Sequence, residues 1–136
     1  MTNEILEFCT DNDIDIDEVN DSIEIDSNDF EVDGYRFILK LDIDEIQLQE
    51  LSNDEYILGC FNASFLESII DWPIEAIEAT QEAEKYEVIG RFIIQNAGML
   101  QTLQAEYSAI DGYGHHFAHY DGEENEAGDY YVFRVY

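Results

Sequence analysis

A predicted β-hairpin at FEVDGYRFILKL, residues 30–41, constrains the fold of this chain more than any other stretch. Asp33-Gly34 lies between two apolar or alternating runs, and this dipeptide is preferred in the two-residue type I′ turn. Within each strand, alternate residues would share one face of the sheet: Phe30 and Val32 in the first, and Tyr35, Phe37 and Leu39 in the second. The stretch therefore predicts part of an antiparallel sheet.

The segment before this hairpin combines dense negative charge with regularly placed apolar residues. Residues 11–33 hold eleven carboxylates and neither Lys nor Arg. Within it, SIEID at 22–26 alternates between apolar and polar residues, which predicts a half-buried strand. Residues 1–21 are the part of the chain that we expect to be the most mobile.

Helical periodicity dominates the centre of the chain. In residues 52–70, Ser52 and Glu55 have the spacing of a capping box, and the apolar residues that follow form a wide stripe. Pro73 suits the first turn of the next helix, which we expect to break near residues 85–90. Residues 99–110 predict a further short helix.

The C-terminal segment predicts a second hairpin. HHFAH would lie in one strand, residues 121–126 in an acidic loop, and the alternating residues 131–135 in the last strand. We therefore predict an α+β fold: a small antiparallel sheet from N- and C-terminal hairpins, packed against a central group of three or four helices. The length suits a single acidic domain, residues 1–136.

The net charge limits what this chain can bind. Against 33 Asp and Glu stand 5 Lys and Arg, which gives a net charge of −28. Such a surface repels DNA phosphates and anionic lipids, so direct nucleic-acid and membrane binding are excluded. Self-repulsion also destabilises the compact state. Adaptation to high salt is one explanation of the excess of Asp and Glu. Salt-adapted proteins favour small apolar residues, however, whereas this chain has 17 Ile and 17 Phe or Tyr. We therefore favour a functional charge.

No motif in the sequence indicates an enzyme. GxSxG, GxxxxGK[ST] and GxGxxG are all absent, and neither Cys9 nor Cys60 has the basic neighbours that activate a thiol. Among 33 acids some carboxylate pair always occurs, so such a pair carries no information. We predict a non-enzymatic protein without a cofactor, a metal ion or catalytic residues.

Two patterns resemble metal sites. Asp13, Asp15, Asp17 and Glu24 match positions 1, 3, 5 and 12 of an EF-hand loop, but the position that needs glycine holds another carboxylate. The histidines of HHFAH would spread along a strand, which separates His115 from His119 by about 13 Å. We therefore interpret the histidines as sheet-surface residues and keep a divalent-ion-binding module as a weaker alternative.

A row of carboxylates at helical spacing suggests a different function. Asp71, Glu75, Glu78 and Glu82 recur at intervals of four, three and four, so a helix starting near Pro73 would align them. Neighbours would be about 4.5–6 Å apart along the axis. The phosphates of one DNA strand advance about 3.4 Å, and both strands together give one charge about every 1.7 Å, a density that the row and the acids of the hairpin loops could approach together. The predicted partner-binding surface combines this row with the acids of the hairpin segments: Asp13, Asp15, Asp17, Glu24, Asp26, Asp71, Glu75, Glu78, Glu82, Asp121, Glu123, Glu124 and Glu126.

LGCFNASFL, residues 58–66, resembles a segment of the ArdA-type antirestriction proteins of mobile elements. The residues that carry the resemblance are Leu58, Gly59, Phe61, Asn62, Ser64 and Leu66. DGYGHHFAHYDGEENE is similar to stretches of small bacteriophage proteins. These resemblances imply a phage or mobile-element origin, and ArdA-like proteins and other acidic phage inhibitors act as DNA mimics against restriction enzymes or CRISPR effectors.

The sequence therefore leads us to expect a non-enzymatic DNA-mimic inhibitor. It would occupy the basic DNA-binding groove of a host nuclease or CRISPR effector in the cytoplasm of an infected cell. MTNEILEF lacks the basic and apolar regions of a signal peptide, which favours this location. The first alternative is an acidic viral structural or assembly protein, for example a homodimer that pairs through its edge strands.

Overall fold

The computed structural model describes residues 1–96 and 98–136. It has the predicted α+β fold, and the chain divides into two compact units. Unit 1 comprises Met1–Ile43 and Ile110–Tyr136, and unit 2 comprises Asp44–Ala109. The expectation that the two units form a single cooperative domain stays a prediction.

The described residues form four strands and nine helices. The strands are β1 (Asp29–Val32), β2 (Tyr35–Leu39), β3 (Asn125–Ala127) and β4 (Tyr130–Arg134). The helices are α1 (Asn3–Asp11), α2 (Ile16–Asp26), α3 (Ile43–Ser52), α4 (Glu55–Gly59), α5 (Ala63–Ile69), α6 (Ile74–Glu82), α7 (Tyr86–Gln95), α8 (Met99–Asp111) and α9 (Gly114–Phe117). The central segment thus forms six helices, where three or four were expected.

The sheet of unit 1 joins the predicted N-terminal hairpin to a C-terminal hairpin whose first strand, β3, lies partly in the segment predicted as an acidic loop. Its antiparallel order is β1-β2-β4-β3, with Phe37 opposite Phe30 on one side and opposite Val132 on the other. Asp33 (φ 52°) and Gly34 (φ 83°) are both left-handed, as a type I′ turn requires. The N- and C-terminal strands therefore form one sheet, which confirms the prediction.

The N-terminal segment is helical, which corrects two expectations. Residues 1–21, expected to be mobile, contribute Ile5, Cys9 and Val19 to the core of unit 1. Residues 22–26, expected to form a strand, complete α2. The alternation in SIEID was too short to decide, because Ile16, Val19 and Ile23 already follow the helical intervals of three and four.

Both faces of the sheet pack against helices, where cover on one face was expected. On one face Phe37 stacks on Phe30, with ring centroids 5.0 Å apart, in a cluster that includes residues of α1 and α2. On the other face Phe133 is buried, and its ring centroid lies 5.1 Å from that of Phe117 in α9. HHFAH thus lies largely in a short helix, so the predicted strand at the histidines was wrong.

Unit 2 is helical, and its core is mostly aliphatic. The fully buried side chains of this core come from α3 to α8: Leu51, Leu58, Leu66, Ile70, Ile77, Ile89, Ile93 and Leu103. A polar contact lies beside them, because Gln104 Nε2 donates to Asp44 Oδ1 and Gln47 Oε1, each at 2.9 Å.

The single helix predicted for residues 52–70 is divided in two. Asp54 caps α4 by accepting from the Ile57 amide, and Asn62 caps α5 by accepting from the Ser64 amide. The predicted capping box was wrong, since the Ser52 hydroxyl donates to the Gln49 carbonyl at the end of α3. Asp54 caps the start of the first helix, and Asn62, an N-cap residue inside the apolar stripe, explains the interruption.

The later helices follow the sequence closely. Pro73 is the N-cap of α6, and the helix breaks at residues 83–85, at the start of the predicted range 85–90, most of which lies in α7. Glu84 is left-handed there, with φ 59°. Residues 99–110 lie in α8 as predicted.

Candidate acidic partner surface

All thirteen predicted partner-binding residues have exposed side chains on the described chain. Four of them belong to unit 2: Asp71, Glu75, Glu78 and Glu82. The other nine belong to unit 1: Asp13, Asp15, Asp17, Glu24, Asp26, Asp121, Glu123, Glu124 and Glu126. Each unit therefore has an acidic surface of its own, and we describe the two separately.

Helix α6 presents a row of three carboxylates in unit 2. Ile77 is fully buried on its inner side, so the residues on the opposite side face solvent. At about 3.6 residues per turn, Glu75, Glu78 and Glu82 fall within an arc of about 60°. Asp71 lies in the bend before α6, so the predicted four-residue row is a three-residue helical row with a separate carboxylate ahead of it.

Gln81 fixes the position of α6 against α4 and the residues that follow it. Its Nε2 donates to the carbonyls of Gly59, at 3.0 Å, and Phe61, at 2.8 Å. The last carbonyls of a helix have no hydrogen-bond partner within the helix. The Gln81 amide therefore provides a hydrogen-bond donor for the carbonyl at the end of α4. The row of α6 is therefore attached to the rest of unit 2 by a buried helix face and a polar anchor.

The acidic residues around α2 have two different roles. Asp15 is an N-cap, because its Oδ1 accepts from the Glu18 amide at 3.1 Å. Asp33 Oδ2 accepts from the Asp15 amide at 2.8 Å and so joins the hairpin turn to the start of α2. By contrast, Glu24 and Asp26 lie in the last turn, where carboxylates oppose the helix dipole. Local helix stability does not account for those two charges.

The predicted acidic loop is partly engaged in contacts within unit 1. Glu124 Oε1 accepts from the Tyr113 amide at 2.9 Å, and Asp121 Oδ1 accepts from the Glu123 amide at 3.0 Å. Glu126 lies in β3, not in the loop, and forms an ion pair with Lys40 at 2.7 Å. The Lys40–Glu126 hydrogen bond raises the pKa of Lys40. Glu126 is therefore largely neutralised within the fold.

The few basic residues leave most of the acidic charge unneutralised. Arg36 forms two hydrogen bonds to Asp29, at 2.8 and 2.7 Å, and Arg91 pairs with Glu55 at 3.3 Å. Arg134 lies over the ring of Tyr120, 3.9 Å from its centroid. With 5 basic residues for 33 acids, most carboxylates have no Lys or Arg available to neutralise them.

The patterns that resembled metal sites do not form one in the structure. The EF-hand-like residues Asp13, Asp15, Asp17 and Glu24 run through the α1–α2 link and along α2 instead of around a loop. His119 Nε2 lies 3.1 Å from the His116 carbonyl oxygen. Within residues 1–96 and 98–136, no group of three or more His, Cys, Asp or Glu side chains is placed to hold a metal ion.

An aromatic group beside the α6 row was missed in the sequence. Glu78, Gln81, Glu82 and Tyr86 line an open depression of about 290 Å³. The Tyr86 ring lies edge-on to that of Tyr56, with centroids 5.2 Å apart. Glu78, Glu82 and Tyr86 recur at intervals of four in the sequence, but α6 ends at Glu82 and α7 begins at Tyr86, so this spacing alone did not predict that they share one depression.

No protein-family model, curated protein or solved structure matches the chain. In LGCFNASFL, the residues that resemble ArdA-type proteins have structural roles: Leu58 and Leu66 are buried, and Asn62 is an N-cap. Gly59 is equally structural, because a Cβ there would lie 1.9 Å from the Tyr86 carbonyl oxygen.

No helix in the described part of the chain is long and apolar enough to cross a membrane.

Proposed function

We propose that this protein is a non-enzymatic inhibitor that binds the DNA-binding groove of a host defence protein. Its carboxylates would meet the Lys and Arg side chains that otherwise contact phosphates. The target would be a restriction nuclease or a CRISPR effector in the cytoplasm of an infected cell. No cofactor takes part, and the protein itself binds neither nucleic acid nor membrane.

The observation that carries this proposal is unneutralised charge on ordered structure. The thirteen candidate carboxylates are exposed on helices, turns and a strand edge, instead of on a flexible tail. Within the described residues, Glu126 pairs with Lys40, and the other twelve form no ion pair with a Lys or Arg. Within each unit, positions on packed elements give a fixed spacing, which recognition of a groove requires. Glu24 and Asp26 add to this argument because they work against helix stability.

Electrostatic physics predicts how such an inhibitor would associate. A strongly negative surface steers the protein toward a positive groove and accelerates the encounter, and dissolved salt weakens this effect. The expected complex therefore forms fast and is sensitive to ionic strength. Duplex DNA and the inhibitor should exclude each other from the target.

Capture from bacterial lysate tests the proposal. Immobilised protein should retain a DNA-binding nuclease or CRISPR effector at about 50 mM salt and release it near 200 mM salt or with duplex DNA. Mass spectrometry identifies the retained protein, and its DNA cleavage should be inhibited. Retention of every basic protein in proportion to its charge would contradict the proposal.

Two variants with equal charge separate geometry from net charge. The row variant carries Glu75→Gln, Glu78→Gln and Glu82→Gln, whereas the control variant carries Glu67→Gln, Glu84→Gln and Glu106→Gln at other exposed positions of unit 2. We expect the row variant to lose inhibition and the control variant to retain it. Equal loss in both would mean that net charge alone is responsible.

The alternative, an acidic viral assembly protein, has one observation in its favour. Tyr120 and Tyr136 are exposed, at 60% and 73%, and could contribute to an interface between copies. Tyr130, however, is buried in the core of unit 1. Sedimentation of the protein tests this alternative, because assembly predicts a concentration-dependent dimer or larger species.

A further inference from the structure

The depression beside the α6 row combines three chemical features in one place. Glu78 and Glu82 contribute carboxylates, Tyr86 an aromatic ring and Gln81 an amide. Both carboxylates are exposed, and no ion pair joins them to a Lys or Arg of the described chain. The depression therefore differs from a plain acidic patch, because a ring and a pair of carboxylates face the same space.

The same combination already holds cations within unit 1. Arg36 is bound by both carboxylate oxygens of Asp29 and lies 5.1 Å from the ring centroid of Phe117. Lys40 pairs with Glu126 and lies 5.5 Å from the centroid of Tyr131. In each case a carboxylate meets the charge while an aromatic face meets the cation from another side. These two sites indicate the kind of ligand that the depression fits.

The depression is held in place by contacts behind it. Gln81 is fixed by its bonds to the Gly59 and Phe61 carbonyls. The backbone of Tyr86 lies directly against Gly59, and its ring is held edge-on by Tyr56. A site whose side chains are already positioned loses less conformational entropy when it binds.

We infer that this depression binds an arginine side chain of the partner protein, with Glu78 and Glu82 contacting the guanidinium and Tyr86 stacking on it. Arginine fits better than lysine, since its planar group can bond a carboxylate through two N–H groups while it lies flat on a ring. This inference rests on the proposed function and adds the residue type by which the partner is recognised.

Two matched peptides test the inference without the partner. Blocked peptides with two arginines or two lysines, separated by glycines, carry equal charge and are titrated into the full chain by NMR or calorimetry. The wild-type protein should bind the arginine peptide about two- to fivefold more tightly, because only the planar guanidinium can bond a carboxylate through two N–H groups while it stacks on the ring.

Four variants assign the preference to the depression. Glu78→Gln with Glu82→Gln should weaken binding of the arginine peptide more than Glu67→Gln with Glu106→Gln, which removes the same charge from other helices. Tyr86→Leu should remove the arginine preference, and Tyr86→Phe should keep it because the ring remains. The carboxylate variants lie on exposed positions, so they test the site even if the Tyr86→Leu protein unfolds.

Equal affinity of the wild-type protein for the two peptides would overturn the inference, as would equal losses in the two carboxylate variants. These results are distinct from a failure of the proposed function. Inhibition of a DNA-binding target without arginine preference would leave the function standing and remove the arginine site. Arginine preference in a protein that inhibits no DNA-binding target would support the arginine site and contradict the proposed function.

Discussion

The two units hold negative charge on different kinds of core. Unit 1 packs aromatic rings around a sheet and contains three of the five basic residues, Arg36, Lys40 and Arg134, each beside an aromatic ring. Unit 2 packs Leu and Ile between helices, and its Arg91 pairs with Glu55 near the α4–α7 contact. The comparison shows that the acidic surface does not depend on one type of scaffold. In both units the apolar interior holds the elements in place while most carboxylates face solvent.

The largest expected effect comes from the aromatic core of unit 1. Phe37→Ala removes a fully buried ring that contacts Phe30, Phe8 and Tyr130, and should lower the free energy of unfolding by about 3–5 kcal/mol. Urea unfolding followed by far-UV circular dichroism measures the change. Phe37→Leu, which keeps most of the volume, is the control and should cost less.

The same variant tests whether the units unfold together. Trp72 is the single tryptophan, lies in unit 2 and packs on Phe92 with centroids 5.0 Å apart. If the chain is one cooperative domain, Phe37→Ala shifts the Trp72 fluorescence transition as much as the dichroism transition. An unchanged Trp72 transition would show that unit 2 unfolds independently.

Next in size is the contact between helices α4 and α7 in unit 2. Gly59→Ala would place a Cβ 1.9 Å from the Tyr86 carbonyl oxygen, so the two helices must separate. We expect a loss of about 3 kcal/mol in the free energy of unfolding. Gly122→Ala is the comparison: it meets no atom within 4 Å but has φ +69°, and it should cost about 1 kcal/mol. Similar losses would contradict the close packing of α4 on α7.

A smaller effect distinguishes a structural carboxylate from a surface carboxylate. Asp15→Ala removes the N-cap of α2 and should cost about 1 kcal/mol. Asp21→Ala, at an exposed position of the same helix, removes one repelling charge and should leave stability unchanged or slightly higher. Thermal unfolding of both proteins at low salt gives the comparison, and a loss in Asp21→Ala would contradict it.

The smallest effect is a pH dependence within unit 1. Burial, followed by the nearby Asp129 charge, raises the pKa of Tyr130 above its ordinary value of 10.0. The folded protein therefore keeps this proton when the unfolded chain has begun to lose it. This contribution to stability is present below about pH 10 and is lost as pH rises through the folded pKa.

Tyr130→Phe tests that contribution. The variant also loses the hydrogen bond from the Tyr130 hydroxyl to the Ser27 carbonyl, so it should be less stable at neutral pH. Between about pH 9 and about pH 11 its stability should fall less steeply than that of the wild type. Parallel slopes would show that Tyr130 does not titrate differently in the folded state.

The sequence predicted those elements whose local signals agree with their environment. Asp33-Gly34 specifies a turn by backbone conformation, and Pro73 starts a helix because it lacks an amide proton. SIEID failed because five alternating residues cannot outweigh the helix that begins at the Asp15 cap. Asn62 divides the apolar stripe of residues 57–70, because it caps a new helix inside a run whose apolar spacing alone predicts one continuous helix.

The candidate surface was predictable in its residues but not in its arrangement. Exposure of the thirteen carboxylates follows from their charge, and the helical row follows from spacing on α6. That Glu126 pairs with Lys40 depends on strand pairing between residues far apart in the chain. The Tyr86 depression depends on the close approach of Gly59, and no local sequence pattern specifies such a contact.

Competition with duplex DNA on the captured target is the decisive test of DNA mimicry. A labelled duplex is bound to the target, and its fluorescence anisotropy is followed as wild type, row variant or control variant is added. We expect the wild type to displace the duplex competitively, added salt to weaken displacement, and the row variant to be weaker than the control variant. Simultaneous binding of duplex and protein, or equal displacement by the two variants, would contradict mimicry by the α6 carboxylates.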